Sequence, residues 1–98
     1  MSGRVLATDV LAAELGPDRT LPLAGLADVE VGVWEMAPGT EQDTEVDEVF
    51  VVLAGRGTVT FADGEAVALA PGVAVRLRAG ERTTWTVTEA LRKVYVAR

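Results

Sequence analysis

The chain has 98 residues, of which 49% are hydrophobic and 24% charged, with a formal net charge of −6 and with neither cysteine nor histidine. This length corresponds to one domain with one hydrophobic core. The missing residue types exclude disulfides, thiolate metal sites, cysteine nucleophiles and Ser-His-Asp triads, and the negative charge disfavours binding to nucleic acid phosphates.

The apolar stretches are short. The longest, residues 49–54, has far fewer than the about 20 residues of a membrane-spanning helix. Asp9 interrupts the first residues before an apolar signal region develops. We therefore expect a cytoplasmic protein that does not contact a membrane.

The first 28 residues differ in pattern from the rest and are predicted to form an N-terminal arm. Thr8 is a suitable N-cap, and Gly16 followed by Pro17 is a stop signal. Residues 8–15 are therefore predicted to form a short helix or, as the alternative, part of a β-arm that packs on the rest of the chain.

From residue 29 to residue 98, β-rich runs alternate with glycine-containing turns, which is typical of an all-β sandwich or barrel. The strongest hairpin signal is Asp63-Gly64. The predicted strands are residues 29–36, 48–53, 58–61, 66–69, 73–77, 83–87 and 92–96. The sequence thus predicts an all-β barrel over residues 29–98.

Two motifs in this region are similar to those of the cupin superfamily. Pro38-Gly39, Glu48 and Gly55 have the spacing of the first cupin motif. Pro71-Gly72 opens a segment that resembles the second motif, in which Thr83 stands where cupins place their last histidine.

The runs 33–35, 85–89 and 92–96 resemble, more specifically, the ureidoglycine-aminohydrolase-like cupins, a group that includes an ethanolamine-utilisation protein. The resemblance implies a double-stranded β-helix, or jelly-roll, barrel with a central pocket, often in a homodimer. Its members range from metal enzymes to simple binding modules, so the fold alone does not define the function.

The histidines that hold metal in cupins are missing here. Their loop positions correspond to Gln42 and Thr44 or, if the loop is one residue longer, to Glu41 and Asp43. The alternatives are no metal at all, which we favour, or a hard ion held by oxygen atoms of Glu48 and its acidic neighbours. Residues 41–47 otherwise form a solvated acidic loop.

Strand alternation predicts which side chains face the pocket. Glu48 opens an apolar run and is the candidate acid or base, or else the partner of an arginine or of a ligand amine. Either Arg92 or Lys93 must point inward, where Glu35 or Glu48 is available as its partner. The residues predicted to line the pocket are Trp34, Gln42, Thr44, Glu48, Phe50, Thr83, Trp85, Lys93 and Tyr95.

Three functions are open on this basis. The first is a metal-free cupin that has no cofactor and either binds a small molecule or acts as a non-catalytic regulatory subunit. The second is an enzyme acting on a ureide, amine or related metabolite, with Glu48 aided by Lys93 or Tyr95. The third is a structural homodimer module in which the apolar run 49–53 forms the interface.

Overall fold

The structure, a computed structural model, describes residues 4–98. Within this range the regular structure consists entirely of β-strands. The strands are β1 (Thr20–Leu26), β2 (Val29–Met36), β3 (Gly39–Thr44), β4 (Glu48–Phe61), β5 (Ala66–Leu69), β6 (Ala74–Leu77) and β7 (Arg82–Ala97). The all-β prediction is therefore confirmed.

The two long strands, β4 and β7, pair antiparallel and form the centre of the barrel. Beside residues 91–97 of β7 lies β2, which in turn pairs with β1, and β6 pairs with residues 48–51 of β4. At the other end of the long pair, β3 joins residues 82–87 of β7 and β5 joins residues 57–60 of β4. Two sheets thus share β4 and β7, as in a jelly-roll barrel.

The bend between the two sheets depends on Gly55. The β4–β7 ladder shifts register between Val52 and Gly57. Gly55 has a φ of 95°, and a Cβ atom there would overlap the carbonyl oxygen of Ala90 on β7. Only glycine allows both the left-handed backbone and this close approach of the two strands.

The core lies between the two sheets, because alternate residues of each strand point inward. Phe50 and Val52 of β4 and Val87 and Leu91 of β7 are almost completely buried. The remaining buried hydrophobic residues of this cluster are Met36, Val59, Leu69, Leu77, Trp85 and Tyr95.

The predicted strand ends were wrong at three places. Residues 48–53 and 58–61 form one strand, because the glycines between them produce bulges while β4 stays paired with β7. Residues 83–87 and 92–96 also belong to one strand, because β7 stays paired with β4 through residues 88–91. Residues 41–44, part of the predicted acidic loop 41–47, belong to β3, because they pair with β7 despite their polar composition.

The predicted N-terminal helix over residues 8–15 is also wrong. This segment contains only a turn, in which the Ala12 N–H donates to the Asp9 carbonyl at 3.3 Å. The Arg92 guanidinium donates to the carbonyls of Val10 and Ala13, at 3.0 Å each, so these groups bond to a side chain and not within a helix. A helix this short has little stability of its own.

The strand β1 lies within the predicted arm of residues 1–28 and pairs with β2. The division of the chain into an arm and a barrel stays a prediction. None of the described residues belongs to a helix long and apolar enough to span a membrane.

Candidate functional site

A buried lysine lies at the centre of the barrel. Lys93, on β7, has 4% of its surface exposed, and its Nζ atom donates to Glu48 Oε2 at 2.6 Å. The same Nζ lies 4.4 Å from the ring centroid of Phe50, 4.6 Å from that of Trp34 and 4.7 Å from that of Trp85. One carboxylate and three aromatic faces together compensate the burial of this charge.

The neighbouring Arg92 points to the other face of β7. Its Nε donates to Glu35 Oε1 at 2.9 Å. The prediction that one of the two basic residues points inward is confirmed, and the structure uses both predicted partners, Glu48 for Lys93 and Glu35 for Arg92.

A second buried carboxylate, Glu45, lies nearby with 8% of its surface exposed. Its Oε2 accepts hydrogen bonds from Thr83 Oγ1 at 2.5 Å and from Trp85 Nε1 at 3.0 Å. The backbone of Glu45 is fixed as well, by bonds to Gly80 and Glu81. The prediction of a solvated loop residue was wrong for Glu45, because two inward-pointing donors need an acceptor.

These groups line a cavity of about 260 Å³, which we call the central cavity. Its mouth is crossed by Arg19, which donates to the two carboxylate oxygens of Glu41 at 3.0 and 3.2 Å. These hydrogen bonds lower the pKa of Glu41, so its carboxyl stays ionised. The lining residues are Arg19, Trp34, Met36, Glu41, Gln42, Asp43, Glu45, Glu48, Trp85, Lys93 and Tyr95.

The wall of the cavity also contains Tyr95, which donates its hydroxyl to Glu30 Oε2 at 2.6 Å. Burial, reinforced by this hydrogen bond to a carboxylate, raises the pKa of Tyr95. The ring fits because Gly32, opposite it on β2, has no side chain. Tyr95 is therefore a neutral phenol at physiological pH.

Of the nine residues predicted to line a pocket, six line the central cavity, namely Trp34, Gln42, Glu48, Trp85, Lys93 and Tyr95. Phe50 packs against the Trp85 ring at 5.5 Å and lies under Lys93. Thr83 holds Glu45. Thr44 does not reach the cavity, and lies instead in a groove on the outside of the barrel with Thr60 and Arg82.

The pairing of β3 with β7 bears on the two alternatives for the missing histidine positions. Glu41 pairs with Trp85 and Asp43 with Thr83, and both partners point into the barrel. Because cross-strand partners share a face, Glu41 and Asp43 lie on the barrel-facing side of β3, while Gln42 borders both the cavity and the outer groove. The pairing favours the alternative with the loop one residue longer, which stays a prediction.

The arrangement does not fit a metal centre. Glu48, the carboxylate common to every ligand set considered, is bonded to the Lys93 ammonium. Among residues 4–98, no three histidine, cysteine, aspartate or glutamate side chains lie close enough together to hold a metal ion. Lys93 thus already occupies the carboxylate that a metal ion would need as a ligand.

Five residues of the lining were not among the nine predicted pocket residues, namely Arg19, Met36, Glu41, Asp43 and Glu45. A signal for Glu45 was present, since the indole of Trp85 and the hydroxyl of Thr83 were both predicted to point inward and both are donors. Arg19 had no comparable signal, because its place at the mouth depends on how the arm packs.

The jelly-roll topology and the polar cavity between its sheets define a small cupin. The chain belongs to the EutQ-like cupin domain family, whose sequence model matches residues 23–95. A comparison with curated proteins finds no match.

Solved structures support the same assignment. The chain is 31% identical to a protein of unknown function from Rhizobium leguminosarum bv. viciae 3841, over 83% of this chain and 82% of that one, with a TM-score of 0.72. It is 26% identical to the Clostridium difficile EutQ protein, over 80% of this chain and 64% of that one, with a TM-score of 0.68. Ectoine synthase from P. lautus shares the fold at 18% identity, over 84% of this chain and 65% of that one, with a TM-score of 0.68.

Proposed function

We propose that this cupin binds a small molecule in the central cavity and does so without a metal ion. The observation that carries the proposal is the cavity itself, which combines two indole rings with fixed charged groups at the centre of a rigid barrel. Binding sites for small molecules are typically concave, partly apolar and equipped with a few well-positioned polar groups. The cavity has room for roughly eight or nine water molecules, which sets the scale of the ligand.

Lys93 supports the metal-free part of the proposal. Its ammonium places one positive charge among Glu48 and the aromatic rings. This charge belongs to the chain, so Glu48 requires no metal ion as its counter-charge. We expect stoichiometric binding without turnover, as in a binding protein or a regulatory subunit.

The proposal includes a cytoplasmic homodimer. The chain has no cysteine, so its fold does not depend on the disulfides that an oxidising compartment allows. Val49 and Val96 are neighbours on β4 and β7, and each has more than two fifths of its surface exposed on the outside of the barrel. Apolar side chains of this kind are covered when a second copy packs on the sheet.

One observation favours an enzyme as the second candidate. The Lys93 ammonium and the Glu48 carboxylate are 2.6 Å apart at the wall of the cavity, a distance at which a proton can pass between them. Tyr95 is not part of this pair, because its hydroxyl is bonded to Glu30. A reaction would therefore depend on Glu48 with Lys93.

The test uses the fact that Trp34 and Trp85 are the only tryptophans in the sequence and both line the cavity. Intrinsic fluorescence and the thermal midpoint would be measured against a panel of small amines, ureides, carboxylates and sugars. A ligand of the native state gives a saturable fluorescence change and raises the midpoint by mass action. If no compound of any class does either, the proposal is wrong.

Two variants separate binding from catalysis. Thr44→Val changes a residue of β3 that lies outside the cavity, and is expected to bind every ligand as the wild type does. Glu48→Gln keeps a hydrogen-bond acceptor for Lys93 and removes the carboxylate. If a bound compound is turned over by the wild type and by Thr44→Val but not by Glu48→Gln, the enzyme is the correct proposal and the binding protein is not.

A further inference from the structure

We propose that the ligand is a small organic cation, and that its ammonium group binds between Asp43 and Glu45 beside the Trp85 ring. This inference rests on the proposed function and names the chemical class of its ligand. It is drawn from the charges of the central cavity, from the burial of Glu45, and from the aromatic rings next to it.

The charges that line the cavity do not balance. They comprise four carboxylates and two cations. Each cation already has a carboxylate partner, since Lys93 pairs with Glu48 and Arg19 with Glu41. Of the four lining carboxylates, Asp43 and Glu45 form no salt bridge with any residue between 4 and 98.

The burial of Glu45 makes this excess significant. More than nine tenths of its surface is buried, and its two hydrogen bonds come from the neutral donors Thr83 and Trp85. A buried carboxylate is costly unless its charge is compensated. A cation from outside the chain would supply this compensation at the open side of Glu45.

The geometry leaves one oxygen of Glu45 available for that cation. Both neutral donors bond to Oε2, and the described residues give Oε1 no hydrogen bond. Every fully buried side-chain nitrogen or oxygen atom among residues 4–98 has a hydrogen-bond partner. Oε1 is therefore not fully buried, and the residue that carries it lines the central cavity.

Asp43 stands at the neighbouring position. It pairs across the strands with Thr83, whose hydroxyl donates to Glu45, and it borders both the central cavity and the groove on the outside of the barrel. One oxygen of Asp43 accepts the N–H of Thr44, and the exposed side chain remains accessible from the cavity. Two carboxylates can share one ammonium group, which has three donors.

Aromatic rings complete a surface suited to a cation. Trp34 and Trp85 lie 5.6 Å apart between ring centroids, and both already contact the Lys93 ammonium. Aromatic faces attract organic cations and do not attract carboxylates. An anionic ligand would have to displace Glu48 from Lys93 or Glu41 from Arg19, whereas a cation uses groups that have no counter-charge.

The experiment compares three probes of one size and different charge, namely propylammonium, propanol and propanoate. The readout is the pair of indole N–H resonances of Trp34 and Trp85 in the NMR spectrum, because the Trp85 Nε1–H is bonded directly to Glu45. Titration of these signals measures weak binding as well as tight binding. We expect saturable shifts with propylammonium and none with propanoate.

The variants are Glu45→Gln and, as a matched control, Glu65→Gln, which removes a carboxylate from the exposed turn after Asp63. The substitution Glu45→Gln retains an oxygen acceptor for Thr83 and Trp85, so the barrel should stay folded, as far-UV circular dichroism will show. We expect Glu45→Gln to weaken propylammonium binding about tenfold or more, the usual effect of a hydrogen bond to a charged group. The control should bind as the wild type does.

The outcomes separate this inference from the proposed function. Unchanged binding of propylammonium to folded Glu45→Gln, or stronger binding of propanoate than of propylammonium, overturns the cation site while a small-molecule site stands. If neither these probes nor any member of the wider panel shifts the indole signals, both proposals are wrong. For a variant that does not fold, Asp43→Asn on the exposed side of the pair provides the same comparison.

Discussion

Replacing Lys93 by methionine should destabilise the barrel strongly. Methionine keeps most of the apolar stem and removes the ammonium, so the packing volume changes little. Glu48, with 9% of its surface exposed, is then left buried without a counter-charge, and three aromatic rings lose their cation. Removing one member of a buried ion pair typically costs about 3–5 kcal/mol of unfolding free energy.

The assay is urea unfolding followed by far-UV circular dichroism, since the tryptophan signals lie beside the mutated residue. The matched control is Arg76→Met, which breaks the exposed ion pair between Arg76 and Asp47, whose side chains are 45% and 39% exposed. Exposed pairs of this kind contribute about 1 kcal/mol or less. The double variant Lys93→Met with Glu48→Met should recover much of the loss, because no unpaired charge is left inside.

The reasoning would be refuted if Lys93→Met cost no more than Arg76→Met. It would also be refuted if the losses of Lys93→Met and Glu48→Met simply added in the double variant. Either result means that Lys93 and Glu48 do not depend on each other in the native state. A large loss that is partly restored in the double variant confirms the coupled buried pair.

Two further predictions concern Gly55 and Tyr95. Gly55→Ala should lower the free energy of unfolding by about 2 kcal/mol or more in the same urea assay, because the new Cβ meets the Ala90 carbonyl at a residue with a positive φ. Gly64 also has a positive φ but open space around it, so Gly64→Ala should cost only about 1 kcal/mol. Equal losses in the two variants would contradict the steric reason. The raised pKa of Tyr95 means that above pH 10 the unfolded chain loses the phenol proton while the folded chain keeps it. The stability that this proton contributes is therefore fully present below pH 10. Above pH 10 the free energy of unfolding should fall by up to about 1.4 kcal/mol per pH unit. Tyr95→Phe should remove this slope, and the same slope in both proteins would count against Tyr95 as its cause.

Much of the fold was determined by the sequence alone. Alternating apolar residues and regularly spaced glycine turns indicated an all-β barrel, since strand faces repeat every two residues. The same alternation placed Phe50, Trp85 and Tyr95 inside. It also required that one of Arg92 and Lys93 point inward, because neighbouring residues of a strand lie on opposite faces.

The tertiary structure decided what local patterns do not contain. Residues 39–44 are polar and exposed, and they form β3 only because β7 provides a partner. Glycines 55 and 57 end a strand in most contexts, but here they bend one that continues, since β4 and β7 remain paired across the bend. Pairing partners far apart in the chain determine both results.

The same division holds for the site. Residue type and strand alternation were enough to select Glu48, Trp85 and Lys93. Both follow from the local sequence of the strand that carries each residue. The burial of Glu45 and the position of Arg19 at the cavity mouth depend on how a connection and the N-terminal segment pack against β7 and β3. Such contacts join residues more than 20 positions apart, and they are fixed by the closed barrel and not by local sequence.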